Sequence, residues 1–479
     1  MTPSPLKSVL PRRAFLKTGA LSALMLAGGL GAPGTTSALA RPQNKRRKPT
    51  NVIFMVSDGM SAGTLTMADQ FKVWREGKAS HWRMAYERAS AGCGLMDMSS
   101  RSSIVTDSAA ASSSWGCGHR VNNGSINMSP EGRPHEPILH LAKQAGRKTG
   151  LVTTAKITHA TPAGFAANLP DRGEEVLIAD QYLERQYDVL LGGGVEFFCP
   201  GHRADGRDLV AEFTAGGHRV VRDAAALKAL PDNADRVLGL FSENHLPFEV
   251  DRLNDPLLRE QVPSLAEMTS RALKALSREG EGFIVQIEGA RVDHAAHNND
   301  AAGLLYDQLA FDDAIAVALE FQERNPDTLV IITTDHGNAN PGINAAGGDD
   351  GGEKTFAHIQ RFTGSYGRLG LTKEMTPNEI RSRFAEILGI DLSRAHANLL
   401  QASLGGERAM PYRRMNQLNS VIGQVLANHT EIGWVGRSHT SDYVQLLALG
   451  PGSEKIRGFN RNTDLFPIMA RALALQIAG

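Results

Sequence analysis

The stretch Val52-Ile53-Phe54-Met55-Val56-Ser57-Asp58-Gly59 decides the fold. Its apolar residues show no alternation, so the strand it predicts is buried on both faces rather than one. The run ends in an acid followed by glycine, and the carboxyl ends of strands are where open α/β sheets hold their ligands. Further short apolar runs lie at Thr149 to Thr153, Val189 to Leu191, Val237 to Leu240, Phe283 to Ile287, Leu329 to Ile332 and Val444 to Leu449. Helical patterns separate them, the strongest from Asp300 to Glu323, stopped by Asn325-Pro326. Strand, helix, strand in that rhythm predicts an α/β fold, a three-layer sandwich around a mostly parallel central sheet.

With 479 residues, 42% of them hydrophobic, the chain can bury one large core or two to three smaller ones. Lys+Arg and Asp+Glu both total 51, but nine basic residues precede residue 49, which leaves 42 basic against 51 acidic in the body. A mildly acidic body argues against nucleic acid as a partner. Three cysteines, Cys93, Cys117 and Cys199, have no CxxC spacing and allow at most one disulfide.

The N-terminus carries Arg12-Arg13, a weakly hydrophobic stretch from Thr18 to Leu30, and Ala38-Leu39-Ala40. This order looks like a twin-arginine signal peptide over residues 1–40, followed by a basic, disordered linker over 41–50. It implies passage through the twin-arginine export machinery to a periplasmic or secreted location. No later apolar run approaches the roughly 20 residues of a membrane span. The GxGxxG match from Gly29 to Gly34 follows no strand and contains Pro33, so it is not a dinucleotide fingerprint.

The catalytic body is expected over 51–479, with a cap-like insertion at about 340–432. That insertion opens on a glycine run too polar for a core and carries amphipathic segments at Ser382 to Leu388 and Gln417 to Leu426.

Chemistry-bearing residues follow the predicted strands. Asp58 follows the first. Glu288 follows Ile284 to Ile287, and Asp335-His336 follows Val330 to Thr334; His439 precedes the Val444 strand. Asp293 and His297 are four apart, so on a helical turn they share a face and can meet one ion, as a zinc-like ligand pair. Imidazoles and carboxylates together at strand ends argue for two metal sites. Ser108, in Thr106-Asp107-Ser108-Ala109-Ala110, is the candidate nucleophile, although the segment alone reads first as a helix cap. There is no Gly-x-Ser-x-Gly elbow for an esterase triad. His135-Glu136-Pro137-Ile138-Leu139-His140 has one residue too many for a zinc helix and a proline inside it. Asp349-Asp350 lacks the spacing of a calcium loop.

Taken together, Ser57-Asp58-Gly59-Met60, Thr106 to Ala110, His159-Ala160-Thr161-Pro162-Ala163, Glu288 to His297, Thr334-Asp335-His336-Gly337 and Ser438-His439-Thr440 resemble the alkaline phosphatase family, in family order. The resemblance implies one zinc held by Asp293, His297 and His439, and a second by Asp335, His336, Asp58 and the Ser108 oxygen. A third ion, magnesium, would use Glu288, Thr161 and Asp58. Arg172 would clamp the phosphate with its planar fork, oriented by Asp107. The implied reaction is phosphomonoester hydrolysis through a phosphoserine, broad in its small substrates; a homodimer is an allowed assembly. His159 and His294 match a His-bearing subset of the family. His159 would act on the third site through water, and His294 either supports the phosphate side or packs. A sulfatase is disfavoured because the nucleophile segment lacks the required proline and arginine. A phosphodiesterase of the same superfamily is the alternative.

Overall fold

The computed structural model describes residues 51–88, 90–278, 280–344 and 352–476. The expected signal peptide and linker, and the Asp349-Asp350 pair, lie outside the described residues.

Ten strands form one sheet in the order β14-β2-β13-β8-β1-β7-β3-β4-β6-β5. In chain order these are β1 (Asn51–Ser57), β2 (Gly92–Asp97), β3 (Lys148–Lys156), β4 (Val189–Gly193), β5 (Arg219–Val221), β6 (Val237–Leu240), β7 (Phe283–Gly289) and β8 (Thr328–Thr333). Four short strands come next or between, β9 (Gly337–Asn338), β10 (Pro341–Ile343), β11 (Ile432–Trp434) and β12 (His439–Thr440), and the sheet ends with β13 (Val444–Leu449) and β14 (Gly458–Arg461). β1 pairs parallel with both β7 and β8. Only β13 runs against its neighbours β2 and β8 in this sheet. The amino end of β13 therefore lies at the same edge as the carboxyl ends of the parallel strands, which puts His439 beside residues that follow β1, β7 and β8.

Helices cover both faces, so the sheet is the middle of three layers. Val52, Phe54 and Val56 of β1 point into one core, and Ile53 and Met55 into the other. Both faces of β1 are buried, which is why the run is unbroken rather than alternating. Phe54 packs against Trp115 and Phe165, with ring centroids 4.9 and 5.0 Å away. Those rings belong to helices Ser108–Cys117 and Ala160–Ala166. The helix Ala301–Arg324 lies in the other core, its first turn capped by the Asp300 carboxylate, which accepts from Gly303 N.

Between residues 340 and 432, β10 and β11 pair antiparallel, so the segment leaves the fold and returns at one place. It carries helices Glu353–Ile359, Pro377–Leu388, Arg394–Leu404 and Leu418–Thr430. The second starts well before the expected Ser382, because Thr376 and Glu379 form a capping box with Pro377 in the first turn. All three cysteines are free. Cys117 is buried and burial pushes its thiol up to about 12, so it packs rather than reacts. No helix among the described residues is long and apolar enough to cross a membrane.

Helices Ser108–Cys117 and Ala160–Ala166 meet backbone to backbone. A Cβ on Gly116 would lie 1.9 Å from the Gly164 carbonyl oxygen, and one on Gly164 would lie 2.5 Å from Ser112 Cβ. Ser112 Oγ donates to Thr161 O at 2.6 Å across the same seam. This contact fixes Ser108 relative to Thr161. Gly116→Ala is expected to cost about 1–3 kcal/mol through forced separation of the helices. The expected result is a lower denaturation midpoint together with a reduced kcat; an unchanged midpoint would show that the seam can relax.

Candidate active site at the carboxyl edge of the sheet

Four carboxylates, Asp58, Glu288, Asp293 and Asp335, converge at this edge, and all four are buried. Burial raises Asp58 well above the usual carboxylate range, and the neighbouring charges of Asp335, Asp293 and Glu288 push it further. Burial likewise lifts Glu288 to about 7. Among the described residues, no lysine or arginine pairs with any of the four.

Local backbone sets each group. Gly59, at φ 68°, turns the chain after β1 and donates its N–H to Asp335 Oδ1 at 2.9 Å. A Cβ there would sit 2.4 Å from Asp293 Oδ1, so only glycine lets Asp58 and Asp293 approach this closely. Asp293 and His297 lie on the short helix Arg291–His297, as their spacing predicted. His297 Nε2 faces Asp293 Oδ2 at 3.3 Å, and His439 Nε2 faces Asp293 Oδ1 at 3.7 Å. Burial would raise Asp293, but His297 and His439 hold it well below its ordinary value.

The imidazoles are aimed by their other nitrogens. His297 Nδ1 donates to Arg437 O at 2.8 Å, and His439 Nδ1 donates to Thr106 O at 3.0 Å. Each neutral ring then presents an Nε2 lone pair, and the two Nε2 atoms stand 3.1 Å apart. Facing lone pairs are what a shared cation would relieve. His336 Nε2 lies 3.1 Å from Asp335 Oδ2, 3.6 Å from Asp58 Oδ1 and 3.4 Å from Ser108 Oγ.

Three groups have ligand atoms within 4.8 Å of one another: Asp293, His336 and His439; Asp58, Asp335 and His336; and Asp58, His159 and Glu288. Asp58 Oδ1, Asp335 Oδ2 and Glu288 Oε1 are buried without a hydrogen-bond partner. Oxygen and imidazole donors, orphaned acceptors and uncompensated negative charge all fit bound divalent ions.

Ser108 is the first residue of its helix, and Asp107 is the cap. Asp107 Oδ1 accepts from Ala110 N at 2.9 Å; Oδ2 accepts from Gly124 N at 2.9 Å and from Arg172 Nη1 at 3.1 Å. The guanidinium of Arg172 also donates through Nη2 to His159 Nε2 at 3.2 Å. Thr161 Oγ1 lies 3.5 Å from Asp58 Oδ2. His159 thus stands beside Asp58 and Glu288, its ligand atom within 4.8 Å of theirs, a separation that one water molecule can bridge. His294 is tied to Arg291, whose Nη1 donates to its Nδ1 at 2.8 Å. It packs at a tilt against His245 with centroids 4.4 Å apart, and its ring centroid lies 5.8 Å from that of His159.

Sequence reasoning missed His245, a loop residue with no motif around it. Its Nδ1 accepts from Lys156 N at 3.3 Å, and burial lowers it to about 3. It also missed Asn338, which donates to Asp293 Oδ1 at 2.6 Å; its place two residues after His336 was the available signal. His135 and His140 do not form a site: His135 stacks on His119 at 4.1 Å, while His140 contacts Glu136.

The alkaline phosphatase family model matches residues 49–475. This chain belongs to the alkaline phosphatase family. It is 31% identical to alkaline phosphatase 4 of Bacillus subtilis over 449 residues, covering 92% of each chain. It is 30% identical to streptomycin-6-phosphate phosphatase of Streptomyces griseus, covering 92% of this chain and 95% of that one. The crystal structure of Thermus thermophilus alkaline phosphatase superposes with a TM-score of 0.84 at 34% identity, over 94% of this chain and 96% of that one. The protein is therefore a metal-dependent phosphatase that acts on phosphomonoesters.

Proposed function

We infer that this phosphatase transfers the phosphoryl group to Ser108 and then to water, releasing inorganic phosphate. The observation that carries the reading is the meeting of one buried hydroxyl with three ligand clusters, beside an arginine already fixed in direction. Ser108 Oγ is the nucleophile, at a helix amino end whose free N–H groups favour a negative oxygen. Arg172, held by Asp107, clamps two phosphate oxygens and aligns phosphorus for in-line attack.

The proposed ligand sets are Asp293, His297 and His439 for one zinc, and Asp58, Asp335 and His336 for the other. Asp58, Glu288 and Thr161 would hold magnesium, with His159 at its border. A nitrogen beside that third set suits magnesium less well than an all-oxygen shell. When bound, such ions lower the pKa of a hydroxyl and neutralise charge on a departing oxygen. The protein's own part is to keep the imidazole Nε2 atoms deprotonated through the Nδ1–H bonds to Thr106 and Arg437, and to exclude water from the four carboxylates.

This machinery acts on the phosphoryl group, so broad tolerance of the alcohol is the expectation. One relative is named for a single substrate, streptomycin 6-phosphate, which marks the surround of the site as the place where selectivity would be written. Acid quenching during turnover of phenyl phosphate should leave phosphate on the peptide that contains Ser108, detected by mass spectrometry. Ser108→Ala should remove the adduct and lower kcat by about a thousandfold or more. Undiminished turnover in that variant would refute the reading.

Export through the twin-arginine route is proposed from Arg12-Arg13 and the segment that follows. Replacing both arginines with lysine should move activity from the periplasmic or secreted fraction to the cytoplasm; unaltered fractionation would count against that route.

A further inference from the structure

The segment between residues 340 and 432 brings positive charge to one side of the site. Arg413 and Arg414 sit in the short turn Arg413–Asn416, and both are exposed. The turn is pinned: Met415 is buried, Gln424 Nε2 donates to Met415 O at 3.2 Å, and Asn416 Nδ2 donates to Met410 O at 2.8 Å. Arg414 Nη1 donates to Ser438 Oγ at 3.3 Å, next to His439. Arg437 comes from the strand-connecting loop and is joined to His297 twice, by the Nδ1–H bond to its carbonyl and by its own Nε donating to His297 O at 3.3 Å. Two guanidinium groups thus flank the His297 and His439 pair.

Neither guanidinium is spent on an acid. Among the described residues, no carboxylate lies within 4.0 Å of Arg413, Arg414 or Arg437. Other arginines of the body, Arg75, Arg252 and Arg383 among them, are each neutralised by a neighbouring carboxylate. Arg437 is half-buried, with no carboxylate beside it. An unpaired, partly desolvated guanidinium is a carboxylate or phosphate receptor by its planar fork.

We propose that the rim formed by Arg414 and Arg437 is a subsite for an anionic leaving group, selecting phosphomonoesters whose alcohol carries a second phosphate or a carboxylate. The inference rests on the proposed reaction: Ser108 Oγ lies 3.4 Å from His336 Nε2, in the set of Asp58, Asp335 and His336, so in-line attack would leave His297 and His439 on the leaving-group side of phosphorus. As Ser108 Oγ bonds to phosphorus, the bond to the ester oxygen breaks, its electron pair stays on that oxygen, and the proton given up by Ser108 is balanced by the proton the oxygen takes from water as it leaves as the alcohol. The alcohol's own anionic group then stays beside the two arginines. The phosphoryl cradle is indifferent to the alcohol, and the insertion adds the preference.

Three substrates of similar alkyl chemistry separate the possibilities: glycerol 3-phosphate, 3-phosphoglycerate and 2,3-bisphosphoglycerate. The intact protein should show higher kcat/KM for the anionic pair relative to glycerol 3-phosphate, and the ratio should fall as ionic strength rises. Arg414→Met should cut that ratio about tenfold, Arg437→Met similarly, and the double variant further. Arg414→Lys should restore part of it. Loss for the bisphosphate alone identifies a phosphate subsite, and loss for both identifies a site for any anion. In the Ser108→Ala background, calorimetric titration with 2,3-bisphosphoglycerate should weaken about tenfold on Arg414→Met while orthophosphate binding does not follow it. A ratio unchanged in the double variant and insensitive to salt would overturn the subsite and leave the Ser108 reaction standing. Full turnover in Ser108→Ala would instead overturn the reaction itself.

Discussion

The mutual repulsion of four buried carboxylates is the constraint on which the rest of this molecule depends. Asp58 has ligand oxygens within 4.8 Å of Asp335 in one group and of Glu288 in another. At that separation two unit charges repel by roughly 3.5 kcal/mol even at an effective dielectric of 20. Among the described residues no arginine or lysine pairs with them, and three of their oxygens lack any hydrogen-bond partner. A fold that spends stability on such an arrangement keeps it for cations, and the chemistry follows from where those cations would be.

Holding the carboxylates together takes most of the architecture. β1, β7 and β8 run parallel and adjacent, so the residues after them reach one edge. Reversal of β13 delivers His439 to that edge from the other chain direction. Gly59 lets two acid-bearing segments touch, and the seam at Gly116 and Gly164 holds the serine helix against the threonine helix. Carbonyls of Thr106 and Arg437 fix which imidazole nitrogen faces inward. Arg414 and Arg437 are tied to these same elements, through Ser438 and His297.

Much of this was legible in the sequence, for a physical reason. Strands buried on both faces must be unbroken apolar runs, so β1, β3, β7, β8 and β13 announced themselves, as did the acids placed just beyond them. The 24-residue helix after Asp300 was equally plain from its period and its cap. β2 and β14 were not. Gly92 and Gly94 are needed because neighbouring carbonyls lie where their side chains would be, and glycine hides the strand signal. Thr161 and Arg172 carry no local pattern and entered only through family resemblance. His245, Asn338 and Arg437 act across distances in sequence that no period or spacing encodes.

Anomalous diffraction at the zinc edge, from crystals of the protein as isolated, tests the central claim most directly. The account predicts peaks bounded by Asp58, Asp335 and His336 and by Asp293, His297 and His439, lost on chelation together with activity. Fully active protein with no ion at either cluster, or with ions bound only elsewhere, would contradict it.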